Sequence, residues 1–266
     1  MIHLVILSVL ISCAFSATLK NDSSSFFEGR IVGGVPVAIQ DYPYQVSVQK
    51  NDRHICGGSV ISSYFVLTAA HCTNNFLSSV LKRYSVRVGS TYQNSGGTVF
   101  RIARIHQNKN YPYTNDYDVS LLELENSLTP LMLASPSTVK AIPLPSAGYP
   151  VPVGELIRVT GWGSLTTNGV LVTELRGVEV PYIGRASCQE AYLSAEYTIT
   201  DKMMCVGYLG VGGKDSCAGD SGGPAVYNGV QVGVASWGYG CGDPKYPGVY
   251  VDLTNQQINS WIISII

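Results

Sequence analysis

The chain has 266 residues, of which 45% are hydrophobic and 13% are charged, and its formal net charge is -1. This composition excludes a disordered chain, and the near-neutral charge gives no support for a nucleic-acid partner. A chain of this length can form one large β domain, or two smaller ones, around a substantial core.

The N-terminus is almost entirely apolar over residues 2–11. This run is too short to span a membrane, and small residues follow it at Ala14, Ser16 and Ala17. We therefore predict a signal peptide over residues 1–16, with a buried N-terminal strand or helix as the alternative. The expected product is a secreted, extracellular protein without a membrane anchor.

Seven cysteines are present, and Cys13 leaves with the signal segment. An even number remains, which in a secreted chain indicates three disulfides whose pairing the spacing leaves open. The remaining cysteines are Cys56, Cys72, Cys188, Cys205, Cys217 and Cys241. Zinc-binding spacings such as C-x-x-C are absent from the sequence, so we predict no metal site and no cofactor.

The body of the chain has the pattern of an all-β protein. Residues 17–30 are polar and rich in serine, and the pattern changes at Ile31. From there, short runs of Val, Ile, Leu, Tyr and Thr alternate with clusters of Gly, Pro, Asn and Ser. Such runs cover residues 44–48, 59–68, 84–88 and 156–160. This rhythm favours antiparallel sandwiches or barrels over alternating βαβ units.

The C-terminal segment is expected to form an amphipathic helix docked on the body. Thr254 and Gln257 have the spacing of a capping box, and apolar residues then recur with helical periodicity. These apolar residues are Ile258, Trp261, Ile262 and Ile265. A helix lying on a membrane surface is the alternative, but this one lacks a basic face. No membrane partner is therefore predicted.

Two candidate catalytic residues stand beside apolar runs. His71 follows such a run and sits between two alanines and a cysteine. Asp118 directly precedes another, and a buried aspartate there can hold the Nδ1–H of a histidine and fix its tautomer. Asp116 is the competing candidate, but Asp118 abuts the apolar run and is expected to point inward. His54 and His106 are interpreted as structural.

A third candidate, Ser221, lies among glycines in the sequence GDSGGP at residues 219–224. A tight turn of this kind exposes the serine Oγ and gathers backbone N–H groups around it. Serine attacks only after a base takes its proton. The N–H groups of Gly219 and Ser221 can then stabilise an oxyanion, each contributing about 2.7–4 kcal/mol. Taken alone, however, such a string is often only a turn.

Together these motifs resemble those of chymotrypsin-fold serine peptidases, and trypsins in particular. The resemblance covers residues 31–266, from IVGG at 31–34 through TAAHC, DVSLL and GDSGGP to PGVY at 247–250. The order His, Asp, Ser matches this family rather than subtilisins or α/β-hydrolases. The resemblance implies two packed six-stranded antiparallel β-barrels with the catalytic triad in the cleft between them.

The same resemblance implies the disulfides Cys56–Cys72, Cys188–Cys205 and Cys217–Cys241. Three disulfides are fewer than vertebrate trypsins have, so the sequence is more similar to invertebrate members. The resemblance also implies the catalytic roles: Ser221 is the nucleophile, His71 the general base and then acid, and Asp118 the residue that orients His71.

Specificity is implied by Asp215, which lies six residues before Ser221. It matches the base of the primary pocket of trypsins, with Gly238 and Gly248 as the pocket walls. A buried carboxylate needs a cationic partner, so the expected cleavage is after Arg or Lys.

Activation is implied at the junction of Arg30 and Ile31. The resemblance makes residues 17–30 a propeptide and 31–266 the peptidase domain, and cutting between them frees the amino group of Ile31. That ammonium would turn inward to pair with Asp220, since burying both charges is tolerable only if they meet. A trypsin-like enzyme, this one included, would make the cut. Residues 88–99 contain no acidic residue, so no calcium site is expected there.

Two alternatives compete with this interpretation. One is a catalytically silent homologue used as a binding module, against which the intact motifs of His71, Asp118 and Ser221 argue. The other is a peptidase of chymotrypsin-like or elastase-like preference, against which Asp215 argues. The expected partners are polypeptide substrates and protein inhibitors. We expect a monomer with a digestive role.

Overall fold

A computed structural model describes residues 32–73, 78–111 and 115–266. The described residues are mostly β-strand. The strands up to residue 124 are β1 (Val35–Pro36), β2 (Gln45–Lys50), β3 (Arg53–Val60), β4 (Phe65–Thr68), β5 (Tyr84–Val88), β6 (Thr98–Gln107) and β7 (Ser120–Leu124). Those that follow are β8 (Leu156–Gly161), β9 (Arg176–Ile183), β10 (Met203–Val206), β11 (Pro224–Tyr227), β12 (Val230–Trp237) and β13 (Gly248–Asp252).

These strands form two antiparallel barrels. The first closes in the order β2-β3-β4-β7-β6-β5, because β2 also pairs with β5. The second runs β9-β10-β13-β12-β11-β8 and closes through the β8–β9 pairing, while the short β1 adds to the edge of β9. The prediction of two six-stranded β-barrels is therefore confirmed.

Strands β2 and β3 carry buried polar side chains that contact the second barrel. Val46 and Val48 lie in the apolar core of the first barrel, whereas Gln45, which precedes them, is polar and yet fully buried. Alternate residues of a strand point to opposite faces, so Gln45 faces away from that core. There its Oε1 accepts a hydrogen bond of 2.6 Å from the hydroxyl of Thr160 on β8. Ser59 on β3 similarly donates to the amide oxygen of Gln231 on β12 at 2.6 Å. Buried hydrogen bonds between polar side chains therefore join the two barrels, beside an apolar cluster that Val226, Val234 and Val251 of the second barrel share with the first.

The helices are short. They are α1 (Ala70–Thr73), a 3-10 helix (Ser78–Arg83), α2 (Thr129–Met132), α3 (Arg185–Leu193) and α4 (Gln256–Ile263). No helix among the described residues is long and apolar enough to cross a membrane.

Helix α4 is the expected C-terminal helix, and it is docked on the protein body. Ile258 and Ile262 are buried in the apolar cluster that includes the core of the first barrel. The capping-box prediction is wrong in its residue: the side chain of Asn255, not Thr254, accepts the N–H groups of Gln257 and Ile258. The hydroxyl of Thr254 instead donates a hydrogen bond to the carboxylate of Asp252, at 2.6 Å.

Two further features differ from the sequence pattern. The run at residues 59–68 is not one strand, because a turn between β3 and β4 divides it. Helix α3 was not predicted, since it buries only Cys188 and Tyr192 and therefore has little apolar periodicity. Residues 1–31 lie outside the described residues, so the signal peptide, the propeptide and the Arg30–Ile31 junction stay predictions.

Candidate active site

His71 and Asp118 are brought together by strand pairing in the first barrel. Strand β4 pairs with β7 so that Thr68 lies opposite Ser120. His71 follows the end of β4 on α1, and Asp118 precedes the start of β7, so both lie at the same edge of the barrel. Strand pairing thus brings the two residues into contact although they are 47 positions apart in the sequence.

The contacts between the two side chains define the state of the imidazole. Nδ1 of His71 lies 2.7 Å from Oδ2 of Asp118, and the backbone N–H of His71 donates to Oδ1 at 2.8 Å. An ionised carboxylate only accepts hydrogen bonds, so Nδ1 carries the proton and Nε2 is left as the basic nitrogen. The Asp118 carboxylate is buried, while the His71 side chain is 32% exposed and open to a substrate.

Ser236 completes the surroundings of Asp118. Its hydroxyl donates to Oδ2 of Asp118 at 2.5 Å from the end of β12 in the second barrel. Asp118 therefore accepts hydrogen bonds from both barrels. Sequence reasoning missed this residue, because a serine 118 positions away has no local signal that it faces the carboxylate.

Ser221 lies in a turn that packs against the segment leading to His71. Gly222 has a φ of +81°, and a Cβ at this residue would overlap the hydroxyl oxygen of Thr68 and lie 3.0 Å from the backbone nitrogen of Ala69. Glycine is therefore required by both backbone conformation and space. The backbone N–H of Gly57 on β3 donates to the Ser221 carbonyl at 2.8 Å. The serine turn of the second barrel is thus held against the His71 side of the first.

Two backbone donors stay open in this turn. Neither Gly219 N–H nor Ser221 N–H donates a hydrogen bond to any described residue. Gly219 has a φ of +97°, a conformation that L side chains rarely adopt, and a Cβ there would lie 2.5 Å from the Leu171 side chain. Open N–H groups beside a serine hydroxyl are suited to bind a developing oxyanion.

A cavity of about 280 Å³ opens beside Ser221 and reaches Asp215. Its size suits one side chain rather than a larger ligand. Its lining includes Ser216, Trp237, Gly238 and Gly248. A Cβ at Gly248 would lie 2.5 Å from Oδ1 of Asp215, so the glycine keeps the approach to the carboxylate open.

The carboxylate of Asp215 is buried and only partly satisfied. It is 4% exposed, and Oδ2 accepts the N–H of Gly242 at 3.0 Å. Oδ1 has no hydrogen-bond partner among the described residues. Burial raises the pKa of Asp215 to about 7. The site is therefore prepared for a cation or another donor that enters through the cavity.

Asp220, next to Ser221, is buried on the other side of the turn. Its Oδ1 accepts the N–H of Gly163 at 2.8 Å and its Oδ2 that of Cys217 at 2.9 Å. Burial raises the pKa of Asp220 to about 6. Its predicted partner Ile31 and the predicted cleavage residue Arg30 lie outside the part of the chain that the structure describes.

A second cavity, of about 220 Å³, is lined by His71 and Asp118. Tyr111, Asn115 and Trp237 contribute to its lining. Ser236 and Trp237 border both cavities, so the two spaces adjoin each other, with Ser221 lining the first and His71 the second.

The disulfides join Cys56 to Cys72, Cys188 to Cys205 and Cys217 to Cys241. The first adjoins His71, and the third borders the cavity above Asp215. Among the described residues, one group of potential metal ligands comes close together, namely Cys56, His71 and Cys72. Both sulfurs are disulfide-bonded, so they cannot bind a metal as thiolates.

Two closed antiparallel barrels with a histidine–aspartate pair and a glycine-rich serine turn at their junction define a serine peptidase of the chymotrypsin fold. Comparison with known proteins narrows this class. A family model for trypsin matches residues 31–262. The chain is 41% identical over 265 residues to Trypsin alpha-4 of Lucilia cuprina, covering 99% of this chain and 98% of that protein.

Other relatives agree. Trypsin Blo t 3 of Blomia tropicalis is 39% identical over 266 residues, covering 97% of this chain and 96% of that protein. Hypodermin-A of Hypoderma lineatum is 40% identical over 266 residues, covering 99% and 98%. The chain therefore belongs to the trypsin family and is a trypsin-like serine endopeptidase.

Proposed function

We propose that this endopeptidase cleaves polypeptides after Arg or Lys, and that it is secreted as an inactive precursor. The observation that carries the specificity is the Asp215 carboxylate, which is buried at the end of a cavity that begins at Ser221 and has one oxygen without a partner. An unpaired buried carboxylate is costly, so a cationic side chain that reaches it is strongly favoured over a neutral one.

The catalytic steps follow from the site geometry and the family mechanism. Nε2 of His71 takes the Ser221 hydroxyl proton as Oγ attacks the scissile carbonyl carbon. The carbonyl oxygen becomes an oxyanion that the N–H groups of Gly219 and Ser221 stabilise. The imidazolium then gives its proton to the leaving amine, which leaves an acyl-enzyme.

Water completes the reaction. His71 takes a proton from a water molecule, which attacks the acyl carbon. The second oxyanion then collapses and breaks the bond to Oγ, while the His71 imidazolium returns its proton to Oγ, which releases the acid and the Ser221 hydroxyl. Throughout both halves Asp118 stays ionised and fixes the Nδ1–H tautomer through its contact of 2.7 Å. The serine peptidase is thereby returned to its starting state.

Activation is assigned to residues outside the described part of the chain. Residues 1–16 act as the signal peptide and 17–30 as the propeptide, and cleavage after Arg30 frees the amino group of Ile31. Asp220 supports this assignment, because its carboxylate is fully buried and no described cation pairs with it. An ammonium at that place supplies the missing charge.

Protein substrates and protein inhibitors are the partners that an endopeptidase with an open cleft meets. Three disulfides suit an oxidising, extracellular setting. A digestive role and a monomeric state complete the proposal.

A three-substrate assay tests the specificity. After conversion at Arg30, matched Arg, Lys and Phe ester substrates are compared for the wild type and for Asp215→Ser. We expect kcat/KM for Arg and Lys to exceed that for Phe by about 10²- to 10⁴-fold, and the variant to lose this preference, since a charge left unpaired in the interior costs about 3–5 kcal/mol and each 1.36 kcal/mol is tenfold. Equal cleavage of the Phe and Arg esters by the wild type would falsify the proposal.

Activation has its own test. The Ser221→Ala precursor cannot cut itself, so it is incubated with a trace of active enzyme and its N-terminal sequence is followed. A new N-terminus at Ile31 is expected. An unchanged N-terminus would contradict activation by a trypsin-like enzyme, and an Arg30→Gln precursor serves as the uncleavable control.

A further inference from the structure

A third cavity, of about 190 Å³, lies in the second barrel away from the catalytic residues. Asp252, which lines it, ends β13, whereas Gly248 of the Asp215 cavity begins that strand. Four residues of extended strand span about 13 Å, so the two cavities are separate. The charged residues of the lining are Arg185 and Asp252, and the aromatic and aliphatic ones are Tyr149, Val151, Tyr182 and Met204.

Asp252 supplies a negative charge to the wall of this cavity. The residue is 8% exposed, and its Oδ1 accepts the backbone N–H of Thr254 at 2.9 Å and the Thr254 hydroxyl at 2.6 Å. Its Oδ2 lies 4.0 Å from Nη2 of Arg185, which is too far for a hydrogen bond. Burial raises the pKa of Asp252, so a second cation close to Oδ2 would stabilise the ionised carboxylate.

Arg185 supplies the opposite charge. Its side chain is 48% exposed, and a guanidinium has five N–H donors. Within the described part of the chain it makes one hydrogen bond, from Nη2 to the Asp201 carbonyl at 3.4 Å. Arg185 is also the first residue of α3, and Gly184 before it has no side chain to cap the helix. The first N–H groups of α3 add positive potential at this end, so Arg185 is suited to bind an anion.

The distance between the two charges selects the class of ligand. A hydrogen bond between charged groups is about 2.8 Å long. In an α-amino acid, the ammonium nitrogen lies about 3 Å from the nearer carboxylate oxygen. Such a molecule can therefore place its ammonium on Oδ2 of Asp252 and its carboxylate on Nη2 of Arg185, which are 4.0 Å apart. A dipeptide separates its two charges by a further residue, so it matches this spacing less well.

The remainder of the cavity selects the side chain of the ligand. The rings of Tyr149 and Tyr182 and the side chains of Val151 and Met204 form its aromatic and aliphatic walls. Its volume of about 190 Å³ is below the range of about 300–1,000 Å³ that is typical of sites for drug-sized ligands. An aliphatic side chain of a few carbon atoms suits such a space.

We propose that this cavity binds a free α-amino acid with an aliphatic side chain, held by its ammonium on Asp252 and by its carboxylate on Arg185. The site is distinct from the catalytic site, because none of its lining residues borders the cavities at Ser221 and His71. It goes beyond the proposed cleavage after Arg or Lys and does not depend on it.

Met204 provides a reporter inside the cavity. The chain has four methionines, and Met1 lies in the predicted signal peptide. Met132, Met203 and Met204 each pack in a different apolar cluster, so their methyl groups have different surroundings. Nuclear magnetic resonance of isotope-labelled methionine methyl groups can therefore follow the three residues separately, and a Met204→Leu variant assigns the signal.

The test titrates the labelled Ser221→Ala protein, which cannot digest itself, with L-leucine. The Met204 signal should shift and saturate with a Kd on the order of 1 mM, as suits a ligand of few atoms. The Met132 signal should stay in place. Leucinamide lacks the carboxylate and isocaproate lacks the ammonium, so each should bind at least about tenfold more weakly, since each loses a hydrogen bond between charged groups. The dipeptide leucyl-leucine should also bind more weakly.

Variants of the two charged residues complete the test. Asp252→Asn and Arg185→Gln should each weaken leucine binding at least about tenfold. Because Arg185 is exposed, its variant remains informative if the buried Asp252→Asn fails to fold. The matched control is Lys202→Gln, which removes a neighbouring cation that pairs with Asp201 at 2.6 Å and does not line the cavity. Its Kd for leucine should stay within about twofold of the wild-type value.

Four results would overturn the proposal. The first is a Met204 signal that does not shift with leucine. The second is equal binding of leucinamide or isocaproate, which would show that only one charge is recognised. The third is tighter binding of leucyl-leucine, which would indicate a site for peptides. The fourth is an unchanged Kd in Arg185→Gln.

Discussion

Two carboxylates at the active site are buried almost equally but have different hydrogen-bond partners. Asp118 lies at the edge of the first barrel, where that barrel meets the second. It accepts hydrogen bonds from the ring and backbone N–H groups of His71 and from the hydroxyl of Ser236. Asp215, in the second barrel, has one oxygen without a partner among the described residues and faces a cavity. A saturated carboxylate can hold a neighbour in place, whereas an unsaturated one is suited to bind a ligand.

The largest expected effect comes from changing Asp118, the carboxylate whose hydrogen-bond partners are complete. In Asp118→Asn, the amide presents a donor where His71 needs an acceptor, so the wrong tautomer is favoured. We expect kcat to fall about 10⁴-fold with little change in KM, a magnitude taken from serine peptidases of this fold. Steady-state kinetics measure both.

The control for that substitution is Asp116→Asn. Asp116 was the competing candidate in the sequence, and in the structure its carboxylate is contacted by the hydroxyl of Thr200, away from His71. Its kcat should stay within about threefold of the wild type. Similar losses in the two variants would show that Asp118 has no special role.

The next prediction concerns the unsaturated carboxylate and pH. Since burial raises the pKa of Asp215 to about 7, the carboxyl of Asp215 in the unliganded enzyme is largely neutral at pH 5 and ionised at pH 8. A cation binds the ionised form, so benzamidine affinity should rise about tenfold per pH unit below 7 and level off above it. Calorimetric titration measures this directly.

Asp215→Asn is the control for this dependence. Its affinity for benzamidine should be low and nearly independent of pH, because no ionisable carboxyl is left at the end of the cavity. A wild-type affinity that does not change between pH 5 and 8 would contradict the assigned role of Asp215.

These differences also explain what the sequence could and could not predict. Turn clusters between short apolar runs predicted an all-β protein, and the motifs around His71, Asp118 and Ser221 identified the family from their order. Disulfide bonding was confirmed as well. Each of these signals is local in the chain or arises from the resemblance.

What the sequence did not predict depends on contacts between distant residues. Ser236 reaches Asp118 across 118 positions, and His54 reaches Gly219 across 165. Only the packing of the two barrels creates these bonds, so no spacing rule identifies them. Helix α3 was missed for a different reason, since its weak apolar periodicity gives no helical signal.

A third prediction compares the two glycines beside Asp215. A Cβ at Gly248 would lie 2.5 Å from Oδ1 of Asp215, whereas at Gly238 the nearest atom would be 3.7 Å away. Gly248→Ala should therefore reduce kcat/KM for Arg substrates about 10- to 100-fold, through overpacking of about 1–3 kcal/mol. Gly238→Ala should have the smaller effect, and the reverse order in a kinetic comparison would disprove this account of the cavity.

The smallest expected effect comes from removing one of the three hydrogen bonds to Asp118, and it tests how much that bond contributes to kcat. Ser236→Ala removes the hydroxyl that donates to Oδ2 at 2.5 Å, but both bonds from His71 remain. One hydrogen bond to a charged group contributes about 1.5–3 kcal/mol, and water entering from the adjacent cavity can replace part of it. We therefore expect kcat to fall by only about 3- to 10-fold, with thermal stability nearly unchanged. A loss as large as that of Asp118→Asn would mean that the orientation of the carboxylate, rather than its charge, limits catalysis.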